Sequence, residues 1–175
     1  MVAVAIQPNT SAMRAQGRTF VLAILLKKIL TDKDFIMIVL QTFLGFQQRT
    51  GISLSRKVDL KEYTSKLLKY GYVYAIMDEN RQDILSCIVF YCNDMDTHIA
   101  YLPLLSTRAD ARGKGYAKLL VNEMIQCCKQ KGMCRIICDS VNPVAVKLYK
   151  SLGFTEYQVQ RCEQLTKTFL KLDLI

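Results

Sequence analysis

The spacing of apolar positions changes along this 175-residue chain, and each change marks a predicted element. From Thr19 to about Leu44 the apolar side chains are dense enough to predict core helix, with a break at Thr31 to Asp34. Gly45 to Lys57 reads as a polar connection. Residues 1–18 show no period, so they are expected to be a disordered leader or one left by cloning, ahead of a single domain over residues 19–175. Asp59 and Glu62 then stand in capping-box relation. Leu60, Tyr63, Leu67 and Leu68 recur on one helical face, and Gly71 supplies the expected stop.

After Gly71 the period shortens. Tyr72 to Met77 and Ile84 to Cys92 are rich in β-branched and aromatic residues and flank a polar stretch from Asp78 to Asp83, the pattern of an antiparallel hairpin. A third apolar run, Ile99 to Leu105, gives way to the polar, basic stretch Ser106 to Lys114. Ala117, Leu120, Val121, Met124 and Cys128 follow at helical spacing over 115–131, with Gly132 as cap and Met133 to Cys138 as the next apolar run. Strand, helix and strand in that order predict a βαβ unit with two neighbouring parallel strands. Asn142 and Pro143 make an N-cap and first-turn pair for a short helix that ends at Gly153. Phe154 to Gln158 and Thr166 to Leu174 read as a closing antiparallel pair. The fold class that results is mixed α/β: a mostly antiparallel sheet with a central parallel pair and helices on both faces.

Composition narrows the class. With 51% apolar residues, 8 Gly and 3 Pro, the chain has enough apolar side chain to offset the entropy of ordering, which excludes disorder and collagen-like structure. Lys27-Lys28 and Asp32-Lys33-Asp34 interrupt the apolar runs well before a membrane-spanning length of ~20 residues accumulates, so no membrane partner is expected. The seven cysteines form an odd set with no C-x-x-C and no histidine nearby, which indicates neither a metal site nor a disulfide framework and suits a reducing cytoplasm. The net charge of +9 favours a polyanionic or phosphorylated partner. No run of five basic residues occurs, however, and no nucleic-acid partner is expected.

One junction concentrates charge and glycine. Arg108-Ala109-Asp110-Ala111-Arg112-Gly113-Lys114-Gly115-Tyr116-Ala117 lies where a strand turns into a helix. Unpaired backbone N–H groups and the positive end of the helix dipole there favour a phosphate. The Walker spacing is absent, and Lys118 stands where a dinucleotide fingerprint needs a small residue.

Arg112-x-x-Gly115-x-Ala117 at this junction resembles the acetyl-CoA signature R/Q-x-x-G-x-G/A of the GNAT superfamily of N-acetyltransferases. One strand later, Asn142, Ala145, Leu148-Tyr149 and Leu152-Gly153-Phe154 resemble that family's N-x-x-A-x-x-L-Y-x-x-x-G-F. Asp59-Leu60, Tyr63, Lys66-Leu67 and Phe90-Tyr91-x-Asn93-Asp94 are similar to a bacterial subgroup often encoded with polysaccharide-biosynthesis genes. The resemblance implies a GNAT-like sheet and acetyl-CoA as cosubstrate. The amides of Gly113, Lys114, Gly115, Tyr116 and Ala117 would hold the pyrophosphate beside Arg112. The backbone of Leu105, Ser106 and Thr107 would pair with the pantetheine, and an amide near Leu105 would stabilise the oxyanion. Asn142 would hydrogen-bond the pantetheine, and Tyr149 would be the general acid for the departing thiolate.

Departures from the family pattern touch the acceptor side. Pro103 interrupts the third strand and demands a bulge or an edge-facing position. Thr107 and Ala109 replace the usual Val and Pro, and Cys138-Asp139-Ser140 replaces Leu-Glu-Val. The general base stays open among His98, Asp94, Asp96, Asp139, Tyr101 and water. The implied reaction is acetyl transfer by direct attack of a small-molecule primary amine, with an amino sugar, free or nucleotide-linked, as the first class. A noncatalytic acyl-CoA-binding module and acetylation of a protein or peptide amine are the alternatives. An exposed strand edge leaves room for a homodimer.

Overall fold

The structure is a computed structural model and describes residues 12–15, 18–24, 59–78, 84–162 and 165–174. In chain order its elements are β1 (Ala12–Ala15), β2 (Arg18–Ile24), α1 (Leu60–Tyr70), β3 (Tyr72–Met77), β4 (Ile84–Tyr91), β5 (Ile99–Thr107), α2 (Tyr116–Gln130), β6 (Arg135–Ser140), α3 (Pro143–Ser151), β7 (Thr155–Cys162) and β8 (Leu165–Asp173). The strands form one sheet in the order β1-β2-β3-β4-β5-β6-β8-β7. Every neighbouring pair is antiparallel except β5 and β6, which run parallel on either side of α2 in the chain. This is the mixed sheet with a central parallel pair that the alternation of periods predicts.

Helices cover both faces. The face under α2 and α3 buries Ile88, Phe90, Leu102, Leu120, Met124 and Ile136, and the face under α1 buries Leu67, Val73, Ala75, Cys87, Val89 and Leu104. Leu102 and Leu104 are two residues apart yet serve opposite cores, although strict alternation would put them on one face. The register explains why. Val89 pairs with Leu104 and Tyr91 with Tyr101, so Phe90 faces both Leu102 and Pro103. One extra residue in β5 reverses the alternation, and Pro103, which lacks a ladder N–H, lies in that bulge.

One expectation for the N-terminal part is corrected. Arg18–Ile24 is a strand paired antiparallel with β3, where a core helix is expected. A short apolar run containing Thr, Phe and Val has no helical period of its own, and the open side of β3 gives it a ladder to join. Ala12–Ala15, within the expected leader, pairs with β2. The expected helix beyond residue 24 and the polar connection at 45–57 lie outside the described residues.

At α1, Asp59 Oδ1 accepts the Glu62 N–H at 3.1 Å, as the capping pattern predicts. Gly71 ends the helix for a reason of space. A Cβ there would lie 2.6 Å from the Leu67 carbonyl oxygen and 2.7 Å from Val89 Cγ1. Among the described residues no helix is long and apolar enough to cross a membrane.

Candidate active site

The parallel ladder joins Ile99–Leu102 to Arg135–Cys138 and stops there. Beyond it, each strand is held by its other neighbour: Leu104–Thr107 by Val89–Ser86 of β4, and Asp139–Ser140 by Phe169–Thr168 of β8. β5 and β6 therefore part at their C-terminal ends, immediately after the Pro103 bulge. The Arg108 N–H donates to the Leu85 carbonyl at 2.9 Å, and the Ser106 carbonyl accepts from Ser86 Oγ at 3.0 Å. Antiparallel alternation then turns the N–H and C=O of Leu105 and Thr107 away from β4 and into the parting. Ser106, expected to contribute backbone there, is instead tied to β4. The Ser86 and Thr107 hydroxyls, 2.8 Å apart, brace the end of the strand.

The glycine turn follows directly. Gly113 and Gly115 have φ of +76° and +81°, a region side chains other than Asn and Asp seldom adopt, and an added Cβ on either would meet nothing within 4 Å. Gly115 is the N-cap of α2. The Leu119 N–H bonds back to the Gly115 carbonyl, so the backbone N–H groups of Ala117 and Lys118 in the preceding turn point out along the axis. Asp110 is engaged by Arg108 through two charge-assisted bonds of 2.7 and 2.9 Å, which leaves Arg112, Lys114 and Lys118 as the cations around the turn. Arg112 Nε donates to the Thr107 carbonyl at 3.3 Å, joining the turn to the end of β5. The Tyr116 ring is in the core, so only its backbone is left to face the turn.

Asn142 caps α3: its Oδ1 accepts the Val144 N–H at 3.1 Å and Pro143 starts the helix. With the oxygen engaged, the side-chain NH2 is the group available to a ligand. Tyr149 belongs to the core under α2 and α3, with its ring 5.5 Å from Phe154. Burial foremost, then Cys138, Asp139 and Tyr101, holds its phenol well above the usual range.

The five residues that are candidates for the base separate by position. His98, Asp94 and Asp96 lie before the start of β5, and seven residues at ~3.3 Å each put His98 about 23 Å from Leu105. His98 is structural: its Nδ1 is 3.1 Å from the Gly132 carbonyl, and its own carbonyl accepts the Cys134 N–H at 2.8 Å. Asp94 closes its own loop by accepting the Asp96 and Thr97 N–H groups. Asp139 is the first β6 residue past the ladder and alternates with core residue Cys138, so it faces the α1 side. Tyr101 Oη donates to Asp139 Oδ1 at 3.1 Å, and Lys167 Nζ is 2.9 Å from Oδ2. Tyr149 and Asp139 thus flank the parting from opposite faces of the sheet. Lys167 was not singled out by the sequence. Its period-2 spacing with Phe169 places both on the Asp139 face and is the signal that could have found it.

A sequence model of the acetyltransferase (GNAT) family matches residues 46–154, well over half of the chain. The chain belongs to this family. Compared with curated protein sequences, it matches none. Among solved structures it is similar to yncA from Salmonella typhimurium, solved with its cofactor acetyl-CoA, at 16% identity and a TM-score of 0.68 over 89% of this chain and 94% of that one. It is also similar to a GNAT-family acetyltransferase from Staphylococcus aureus Mu50, at 15% identity and 0.67 over 89% and 99%. A third, from Elizabethkingia anophelis with acetyl-CoA bound, aligns at 18% identity and 0.56 over 65% and 83%. At these identities the likeness is one of fold.

Proposed function

We propose that this chain is an acetyl-CoA-dependent N-acetyltransferase that acts on the primary amine of a small molecule by direct attack. The observation that carries the reading is the parting of β5 and β6 beyond Leu102 and Cys138, beside the left-handed turn at Gly113–Gly115. Leu105 and Thr107 offer backbone groups to a pantetheine arm as a further strand would, and the Leu105 N–H is the donor for the oxyanion. The turn's amides, with Arg112 and Lys114, receive the pyrophosphate. The Asn142 side-chain NH2 donates to the pantetheine. Tyr149 donates its proton toward the departing sulfur from one face, and Asp139, alone or through Tyr101, accepts the amine proton on the other. The six cysteines whose side chains the structure describes are all free, which supports a reducing compartment. An amino sugar, free or nucleotide-linked, is the first acceptor to try, on the residue pattern around Asp59–Leu67 and Phe90–Asp94.

The test is acetyl-CoA binding by calorimetry together with thiol release across amines, with mass detection of the product. Gly115→Asp is the informative variant. Aspartate tolerates positive φ and its Cβ meets no protein atom, so the fold should survive while a carboxylate faces the pyrophosphate. Affinity should fall by about 10-fold or more, since facing like charges costs several kcal/mol. Unchanged affinity with an intact fold overturns the assignment.

A further inference from the structure

On the α1 face of the sheet, rings and one carboxylate form a stripe that crosses four elements at the parting. Tyr91 of β4 and Tyr101 of β5 are directly paired, with rings 6.5 Å apart and 14° from parallel. Asp139 of β6 comes next and is paired with Phe169 of β8. Tyr63 of α1 packs against this face, and after burial it is Tyr91 and Asp139 that push its phenol up. The stripe is open to solvent: Tyr101 is 37% exposed, and the Asp139 side chain retains 24% of its surface. Asp139 already holds an ammonium group. Lys167 Nζ lies 2.9 Å from its Oδ2 and 4.9 Å above the Phe169 ring, the combination of carboxylate and π-face that recognises organic cations.

We propose that this stripe is the acceptor subsite and that it takes a free organic ammonium, an alkylamine or an amino sugar not joined to a nucleotide, held by Asp139 in the place of Lys167 with its carbon frame on the tyrosine rings. The assignment rests on the acetyl-transfer reading and narrows its substrate. Asp139 accepts a proton from R–NH3+ to give the nucleophilic amine. The N–C bond then forms, the C–S bond breaks, a second proton leaves nitrogen and sulfur takes one up, so each turnover releases one proton net. Lys167 is a competitor for the carboxylate, not a substrate anchor, and a negatively charged nucleotide on the acceptor would find the carboxylate opposed to it.

The experiment compares wild type, Lys167→Met and Asp139→Asn at saturating acetyl-CoA on glucosamine, cadaverine and a nucleotide-linked amino sugar, with acetyl-CoA affinity measured separately by calorimetry. The expected result is turnover of the cationic amines in preference to the nucleotide-linked one. Lys167→Met should lower KM for the cations by about 2- to 5-fold, as loss of one exposed ion pair allows. Asp139→Asn should raise KM by about 10-fold or more and lower kcat as well, because the ammonium loses its charged acceptor and the amine loses its base. All three proteins should bind acetyl-CoA equally. A KM that rises in Lys167→Met, a preference for the nucleotide-linked acceptor, or acetyl-CoA binding with no acetylation of either cationic amine overturns the subsite while leaving cofactor binding in place. Failure to bind acetyl-CoA at all removes the transfer reading itself.

Discussion

Tyr149 is 4% exposed and its phenol is pushed far above the usual range by burial, so it stays protonated throughout the neutral and mildly alkaline range. That is the state a proton donor needs. The same burial makes the phenolate costly, so in the proposed reaction Tyr149 would serve as a hydrogen-bond donor that strengthens as negative charge develops on sulfur. Tyr149→Phe keeps the ring and its contact with Phe154 and removes only the hydroxyl. We expect turnover to fall by about 10- to 10⁴-fold with acetyl-CoA affinity unchanged, measured by thiol release and calorimetry on the same preparations. Wild-type turnover in this variant would mean that sulfur is protonated by water and that Tyr149 is a packing residue. Asp139 has the opposite character: its carboxylate is partly open to solvent and is held by Tyr101 and Lys167 from the neighbouring strands.

At the scale of elements, one residue at the start of α3 carries the helix cap and, in the proposed reading, a contact to the cofactor. The Asn142 carbonyl oxygen caps the helix at 3.1 Å from the Val144 N–H, which leaves its NH2 as the donor that the proposed pantetheine contact would use. Asn142→Ser keeps a good cap and deletes the amide donor, whereas Asn142→Ala deletes both. Stability of the Ser variant in urea should stay within about 0.5 kcal/mol of wild type, and the Ala variant should lose about 1 kcal/mol. Acetyl-CoA affinity should fall in both, and equal affinity in wild type and Ser would restrict Asn142 to capping.

The elements that the sequence makes legible are those whose signals are local. The βαβ unit from Ile99 to Cys138, the Asn142-Pro143 start and the Asp59 cap all follow from spacing over a few residues, and so does the glycine turn. β2 was not legible, because a seven-residue apolar strand becomes a strand only when β3 offers it an edge. The Pro103 bulge was foreseeable from the missing N–H, but its consequence, the reversal that sends Leu102 and Leu104 to opposite cores, needed the register with β4. The stripe from Tyr63 to Lys167 was hidden for the same reason: its members meet only across the sheet.

For the molecule as a whole, the sheet buries thiols on both faces, and this sets how stability responds to alkali. Cys87 lies under α1 and Cys138 under α2 and α3, and each is pushed up to about 12 from a usual thiol value of 9.0, in both cases chiefly by burial. In the unfolded chain these thiols ionise near the usual value. Above it the unfolded state binds fewer protons than the folded one, so stability falls as pH rises. Their contribution is fully present below about 9 and is lost progressively between about 9 and about 12, at up to about 1.4 kcal/mol per pH unit for each thiol. Raising the pH from 8 to 10.5 should therefore lower the unfolding free energy by about 3–4 kcal/mol from these two groups together. Urea unfolding of wild type and of Cys87→Ala across this range checks it. The variant should start less stable at pH 8, through the small cavity, yet lose stability with a slope about half that portion of the wild-type slope removed, so that the two curves converge as pH rises. Curves that stay parallel to pH 10.5 would mean that Cys87 ionises in the folded state as readily as in the unfolded one, and that alkaline sensitivity arises elsewhere, at Cys138, Cys92 or the buried tyrosines.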